Sequence, residues 1–243
     1  MKSTVSRAVM AASVTVALGL TAACGSDNGD SGKSGDNGKK ASGKPAAVRP
    51  AAKKSTVLTT ADLEKAALVK GDLKGYKVEK MSAADMPAQT VPADPAACQP
   101  LADMFMFAGR PTAKARVGRT VTSTDELDAT VISFALLAHE KAAAEKVMDG
   151  LRTATKKCTS YEHAGSEYRD VAALAAPKTG DEAVSYKVVG DIEGQKTPMS
   201  FTVVRSGPTV AAFYSINLLK PKKFGVPTEI VEAQVKKLEK TSK

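Results

Sequence analysis

Apolar and polar residues follow two different periods along the chain, and the change between them outlines the predicted elements. Between residues 139 and 158, apolar side chains recur at steps of three and four, which predicts an amphipathic helix with Cys158 on its buried side. Apolar and polar residues alternate in Val184–Val188 and Met199–Val203, which predicts strands that are buried on one face. The segment Ala129–Leu137 is apolar on both faces, so we expect this strand to lie inside the sheet.

The other segments complete an order of helix, strand, helix, two strands, long helix, about four strands and a last helix. Thr59–Asp62 resembles a capping box that opens the first helix. Short turns at residues 190–194 and 206–208 join the later strands into a meander. The predicted helices lie near residues 59–67, 98–107, 139–158 and 228–240, and the strands near 76–81, 115–123, 129–137, 169–174, 183–189, 198–205 and 209–219. This order predicts an α+β fold with a mostly antiparallel sheet packed by helices, as a single domain over residues 59–243.

The first 23 residues have the pattern of a secretory signal. Lys2 and Arg7 are followed by an uncharged, largely apolar stretch and by the small residues Thr21–Ala23. The apolar stretch is short for a membrane-spanning helix, and the order of the parts is that of a signal peptide. We therefore expect export from the cytoplasm.

Leu20–Gly25 resembles a bacterial lipobox, in which the cysteine receives a diacylglycerol with acyl chains such as palmitate. The resemblance implies that Cys24 is the lipidated mature N-terminus and that the protein is held at the extracellular face of the cell membrane. Leu20 lies four residues before Cys24, where the common pattern has three, so ordinary signal-peptidase cleavage near Ala23 remains an alternative. Lipid on Cys24 leaves Cys98 and Cys158, which we predict to form a disulfide rather than two separate buried thiols.

Residues 24–58 form a predicted disordered tether rich in Gly, Ser, Lys and Pro. Val48 is the only sizeable apolar side chain between Gly25 and Ser55, so the segment cannot bury enough surface to offset the cost of ordering. Of the net charge of +9, the signal peptide carries +2, the tether +4 and the remaining residues +3. The basic charge is thus not concentrated in the folded part, and nucleic acid is not expected as a partner.

Candidate chemistry in the folded part is sparse. His139 and His163 lack Cys, His or Asp neighbours at metal-ligand spacing, and we expect both to be solvated, with no metal and no cofactor. Asp181–Glu182 follows Gly180 and suits a turn that starts a strand better than a catalytic pair.

Two further groups are candidates for ligand contact. Three arginines fall on predicted strands and could face an anionic ligand, although exposed edge charges are the favoured interpretation: Arg116, Arg119 and Arg205. Met104–Phe107 could form an apolar ligand wall, although helix-borne apolar residues beside Cys98 are more often core.

Several segments in this order resemble a known family. They are the Cys-bearing helix at Cys98, the helix end Leu151–Cys158, the turn Gly180–Ala183, the strand end Val203–Gly207 and the last-helix segment Ala233–Leu238. Over residues 56–243 the chain resembles actinobacterial lipoproteins related to the extracellular sensor domain of PknH-type Ser/Thr kinases. The resemblance implies an antiparallel sheet packed with helices and a cleft for an unidentified ligand.

The sequence therefore predicts an exported, membrane-anchored lipoprotein with a ligand-binding or sensing domain. Its expected partners are the membrane, through lipid on Cys24, and a cell-wall or small-molecule ligand. The alternative is a non-catalytic structural or protein-interaction lipoprotein of the cell envelope. No catalytic motif is legible, so an enzyme is not expected.

Overall fold

The computed structural model describes residues 56–87, 89–192, 194–217, 219–220, 222–223 and 225–242. The predicted signal peptide, Cys24 and the predicted tether up to residue 55 lie outside the described residues. In the part described, no helix has the length and apolar character needed to cross a membrane.

The described chain contains four α-helices, one 3-10 helix and nine strands. The helices are α1 Thr60–Ala66, α2 Gln99–Phe105, α3 Lys141–Lys157 and α4 Thr228–Thr241, and the 3-10 helix is Ala96–Cys98. The strands are β1 Tyr76–Lys80, β2 Ala93–Asp94, β3 Ala115–Ser123, β4 Thr130–Ala138, β5 Tyr161–His163, β6 Ser166–Leu174, β7 Glu182–Ile192, β8 Gln195–Ser206 and β9 Thr209–Asn217.

All nine described strands belong to one antiparallel sheet, in the order β1-β3-β4-β9-β8-β7-β6-β5-β2. The strands β6 to β9 form the predicted meander, and β9 returns to pair with β4. The prediction of an α+β fold with an antiparallel sheet is therefore confirmed. The predicted interior position of β4 is also confirmed, because β4 pairs with β3 on one side and β9 on the other.

Each face of the sheet carries its own helix pair and its own core. Ile132 and Phe134 of β4 pack in the cluster that includes α1 and α4, while Ala135 and Leu137 pack in the cluster that includes α2 and α3. Successive side chains of a strand point to opposite faces, so a strand that is apolar at every position needs helices on both. The result is a three-layer arrangement with the sheet in the middle.

The first helix is fixed by a cap and by an amide. Thr59 and Asp62 form the predicted capping box at the start of α1. At its other end, the buried Gln234 of α4 accepts from the backbone N–H of Leu68 at 2.9 Å and donates to the carbonyl of Ala66 at 2.8 Å. These bonds satisfy backbone groups at the end of α1 that the helix itself leaves unpaired.

The structure adds two short strands that the sequence pattern did not predict, β2 and β5, which pair with each other. Residues Tyr161–His163 form β5, and β6 begins at Ser166 instead of near Arg169. The rings of Tyr161 and Tyr168 stack across this strand pair with centroids 5.0 Å apart. Three residues are too few for an alternating pattern to be recognised, so this strand is defined by its pairing.

Candidate functional site

A cleft of about 270 Å³ lies between α2 and α3. Pro100 and Met104 of α2 form one wall, and Val147 and Leu151 of α3 form the other. We call this feature the α2–α3 cleft. Ligand sites in proteins are concave and mostly apolar, with a few polar groups at fixed positions, and this cleft has that character at a small size.

The two walls are held by a disulfide. Cys98, directly before α2, is bonded to Cys158, directly after α3, with their Cα atoms 5.7 Å apart. The predicted pairing is therefore confirmed, and so is the prediction that Cys158 faces the core. The bond fixes the beginning of α2 to the end of α3, so it sets how far apart the walls of the cleft can move.

A glycine in the middle of α3 keeps the cleft open. Gly150 lines the cleft opposite Pro100, and a Cβ placed on Gly150 would lie 3.5 Å from Cγ of that ring. This is ordinary van der Waals distance, so the backbone does not require glycine here. What the glycine provides is space between the helices.

The polar side of the cleft is organised around a buried carboxylate. Asp103 of α2 is 2% exposed, and its Oδ1 accepts from Nε2 of Gln99 at 2.7 Å. The same amide nitrogen donates to the carbonyl of Val91 at 2.9 Å, and Oε1 of Gln99 accepts from the backbone N–H of Ala93 at 2.8 Å. Gln99 is thus committed on both ends and holds Asp103 in one orientation.

The second oxygen of Asp103 is less fully satisfied. Its nearest cation is Nε of Arg110, 3.6 Å from Oδ2, which is an ion-pair distance and too long for a hydrogen bond. Arg110 is 59% exposed at its side chain, and its guanidinium donates to Oγ1 of Thr90 at 2.7 Å. Burial raises the pKa of the Asp103 carboxyl, against the opposing effects of the Gln99 hydrogen bond and the Arg110 charge.

His139 lies behind the cleft. The residue is fully buried, and neither ring nitrogen has a hydrogen-bond partner among the described residues. A Cβ on Gly109, which lines the cleft, would lie 3.8 Å from Cε1 of His139. Burial lowers the pKa of His139 to about 4, so the ring is neutral at neutral pH.

The expectation of two solvated histidines is wrong. His139 directly follows β4 and is fully buried, and its backbone N–H donates to the carbonyl of Pro208. His163 is 2% exposed on β5, and burial lowers its pKa, although a hydrogen bond with the backbone of Val91 opposes the shift. In both cases the covering residues come from distant parts of the chain. No group of three or more metal-ligating side chains occurs among the described residues.

The expectation of exposed edge arginines is also wrong. Arg119 is 1% exposed on the interior strand β3, where it donates to the carbonyl of Leu68 at 3.0 Å and to Glu64 at 2.8 Å. Arg116 donates to the carbonyls of Met86 and Pro87 at 2.8 and 2.9 Å. These two arginines hold loops against the sheet. Arg116 also lines a pocket of about 390 Å³. Its guanidinium is already hydrogen-bonded to backbone carbonyls there, so it is not free to bind an anionic ligand.

Arg205 belongs to a structural network as well. It is 8% exposed on β8, and it donates to Asp181 at 2.7 Å and also to Glu182. Arg152 of α3 bonds to the same Glu182, and Asp181 accepts from the backbone N–H of Gly207 at 2.8 Å. The predicted role of Asp181–Glu182 at a turn and strand start is confirmed, and the network joins α3 to the start of β7 and the end of β8.

The segment Met104–Phe107 serves the core and the cleft together. Phe105 and Phe107 stack on Tyr214 with ring centroids 5.3 and 5.4 Å away, and Phe107 is buried. Met104 is buried and forms part of the cleft wall. The favoured core interpretation is confirmed for Met104 and Phe107, and the alternative of an apolar wall fits Met104.

Apart from Met104, the residues that line the cleft were not identified from the sequence as ligand-contact candidates. Two signals were present: Gly150 interrupts an otherwise good helix, and Asp103 stands among the apolar residues of α2. Each signal is weak alone, since surface glycines and acids are common in helices. Only the approach of α2 to α3 brings them together.

Solved structures with a distant likeness to this chain include two mycobacterial proteins. No family model and no curated protein matches the chain. The extracellular domain of PknH from Mycobacterium tuberculosis is similar over 77% of this chain and 98% of its own, with 10% identity and a TM-score of 0.48. An uncharacterized protein from Mycobacterium smegmatis, the Rv0999 ortholog, is similar over 78% of this chain and 98% of its own, with 10% identity and a TM-score of 0.40. The PknH extracellular domain is the one to which the sequence segments pointed.

Proposed function

We propose that this protein is an extracellular ligand-binding or sensing lipoprotein whose folded domain takes a small, largely apolar molecule in the α2–α3 cleft. The observation that carries the proposal is the combination of apolar walls with one buried, oriented carboxylate at Asp103. A buried charge is costly to maintain, and a concave apolar site with a perturbed titratable group is the usual form of a ligand site.

The proposal places the domain outside the cytoplasm, anchored by lipid on Cys24. The buried disulfide between Cys98 and Cys158 supports an oxidising location, because such bonds persist mainly in exported proteins. The signal-peptide pattern of residues 1–23 supports export independently. A shift of the mature mass by a diacylglycerol, abolished by Cys24→Ala, would test the anchor directly.

We propose binding rather than catalysis for this cleft. Its titratable lining residues are Asp103 and Arg110, while His139 lies behind Gly109 and not among the lining residues. Both ends of the Gln99 amide are hydrogen-bonded, so Asp103 is held in one orientation and can hold a ligand group in place. It has no adjacent base or nucleophile among the described lining residues with which to carry out proton transfer chemistry.

Filling the cleft tests the proposal. Gly150→Leu places a side chain into the space between α2 and α3, and we expect it to abolish binding of small apolar fragments that bind the unmodified protein. Binding is measured by ligand-observed NMR with the intact chain, together with native mass spectrometry of molecules that co-purify. Ala142→Leu, which adds the same side chain at an exposed position of α3, is the matched control. Unchanged fragment binding in Gly150→Leu would contradict the proposal.

The smaller substitution Gly150→Ala gives a prediction about stability. Glycine inside a helix costs about 0.8–1.0 kcal/mol relative to alanine, and the new methyl group meets Pro100 only at ordinary contact distance. We therefore expect the free energy of unfolding to rise by about 1 kcal/mol in urea titrations. A decrease would mean that the helices are closer than the structure indicates.

A further inference from the structure

The two oxygens of Asp103 differ in what they bind. Oδ1 is held by Gln99 at 2.7 Å, whereas no hydrogen bond to Oδ2 occurs among the described residues. Oδ2 has Arg110 Nε at 3.6 Å as its nearest cation. The carboxylate thus presents one oxygen that is held in orientation through the Gln99 bond and is open to a better partner.

We propose that the α2–α3 cleft selects a small organic cation, a primary ammonium group on an apolar body, which pairs with Oδ2 of Asp103 and displaces Arg110. This inference rests on the proposed function and adds the chemical class of the ligand. The ammonium group supplies both the charge and the short hydrogen bond that Oδ2 lacks, while the apolar body lies between Pro100 and Leu151.

Arg110 is suited to being displaced. Its side chain is 59% exposed, its ion pair with Asp103 is long, and its guanidinium is hydrogen-bonded to a Thr90 hydroxyl at the surface. Water can solvate the exposed Arg110 side chain once it is displaced, and the incoming ammonium takes over its charge beside Asp103, so the exchange has a small cost. Asp103, by contrast, is 2% exposed and cannot leave its position without breaking its bond to Gln99.

The volume of the cleft limits the size of the cation. At about 270 Å³ the cleft is just below the range of about 300–1,000 Å³ that is typical of ligand pockets, so only a small ligand fits. Pro100, Met104, Val147 and Leu151 line this space with apolar atoms. An arylalkyl or alkyl ammonium ion fits these limits, whereas a polyamine with several charges would leave cations unpaired against apolar walls.

The test compares three probes that share one aromatic body. The intact protein is titrated calorimetrically with 2-phenylethylammonium, neutral 2-phenylethanol and anionic phenylacetate. We expect the ammonium probe to bind at least about tenfold more tightly than the alcohol, and phenylacetate to bind more weakly than either. Asp103→Asn should remove about 30-fold or more of the affinity for the ammonium probe, because a buried charge pair loses one partner.

Arg110→Ala supplies a second test that leaves Asp103 intact. Removing a positive charge next to the cation site should raise the affinity for 2-phenylethylammonium by about threefold to tenfold. Since Arg110 is exposed, this variant should fold normally even if Asp103→Asn does not. Thermal midpoints of both variants monitor folding.

The outcomes separate this inference from the proposed function. Equal binding of the ammonium and alcohol probes, abolished by Gly150→Leu, would overturn cation selection and leave the ligand-binding cleft standing. Preferential binding of phenylacetate, weakened in Arg110→Ala, would overturn the inference in favour of an anion site at Arg110. If none of the probes binds at millimolar concentration, the inference is wrong, and fragment binding tested with Gly150→Leu decides the proposed function separately.

Discussion

Replacing Cys98 and Cys158 together with alanine should lower the free energy of unfolding by about 4 kcal/mol. The disulfide closes a loop with a sequence separation of 60 residues. On the chain-entropy model, removing it raises the conformational entropy of the unfolded chain, which lowers the free energy of unfolding by about 4 kcal/mol. The double replacement avoids leaving one buried free thiol. Urea or guanidinium titration at neutral pH measures the change, and the affinity of cleft ligands should fall with it, because α2 loses its covalent link to α3.

The third cysteine provides the control for this experiment. Cys24→Ala removes the proposed lipid attachment site and keeps the Cys98–Cys158 bond, so the folded domain should unfold at the wild-type denaturant concentration. Reduction of the unmodified protein should reproduce the double variant. A double variant as stable as the wild type would show that the packing of α2 on α3 suffices without the bond.

Acid should destabilise the domain through His139 before most carboxylates titrate. Its pKa is about 4 in the folded protein and 6.5 in the unfolded chain, so between these values the unfolded state binds more protons. The stability associated with the neutral ring is fully present above about pH 6.5 and is lost as pH falls towards about 4. The expected total is about 3 kcal/mol, at 1.36 kcal/mol per unit of pKa difference.

The variant His139→Leu isolates this effect. Leucine has a similar volume and no proton to bind, and the ring nitrogens of His139 make no hydrogen bond among the described residues. Stability at pH 7 should therefore be retained, and the slope of unfolding free energy between pH 4 and 6.5 should flatten. Urea titrations at half-unit steps of pH provide the comparison.

His163 is the matched control for the pH experiment. Its pKa is also lowered by burial, but a hydrogen bond with the backbone of Val91 opposes the shift. We expect His163→Leu to flatten the slope less than His139→Leu, and to lower stability at pH 7 because Val91 loses its partner. Identical pH profiles for the wild type and His139→Leu would contradict the burial of an uncharged ring at this position.

The sequence determined the elements and the side of each element that is buried. β4 was identified as an interior strand because it is apolar at both alternating sets of positions, and α3 because its apolar residues fall on one helical stripe. The capping box at Thr59 and the pairing of Cys98 with Cys158 also follow from short-range pattern and cysteine count. The helix, strand and cap patterns depend on residues that are close in the chain. The disulfide follows from the count of cysteines, because lipid on Cys24 leaves two that can pair.

The tertiary structure alone decided which polar residues are buried and where the cleft lies. Arg119 is buried because its guanidinium meets Leu68 and Glu64, which are 51 and 55 positions away in the chain. The cleft requires α2, with Pro100 and Asp103, to pack beside α3 at Gly150, and the sequence of neither helix alone predicts that packing. A periodic pattern reports how apolar one face of an element is, but the burial of a polar group depends on partners supplied by whatever segment packs over it.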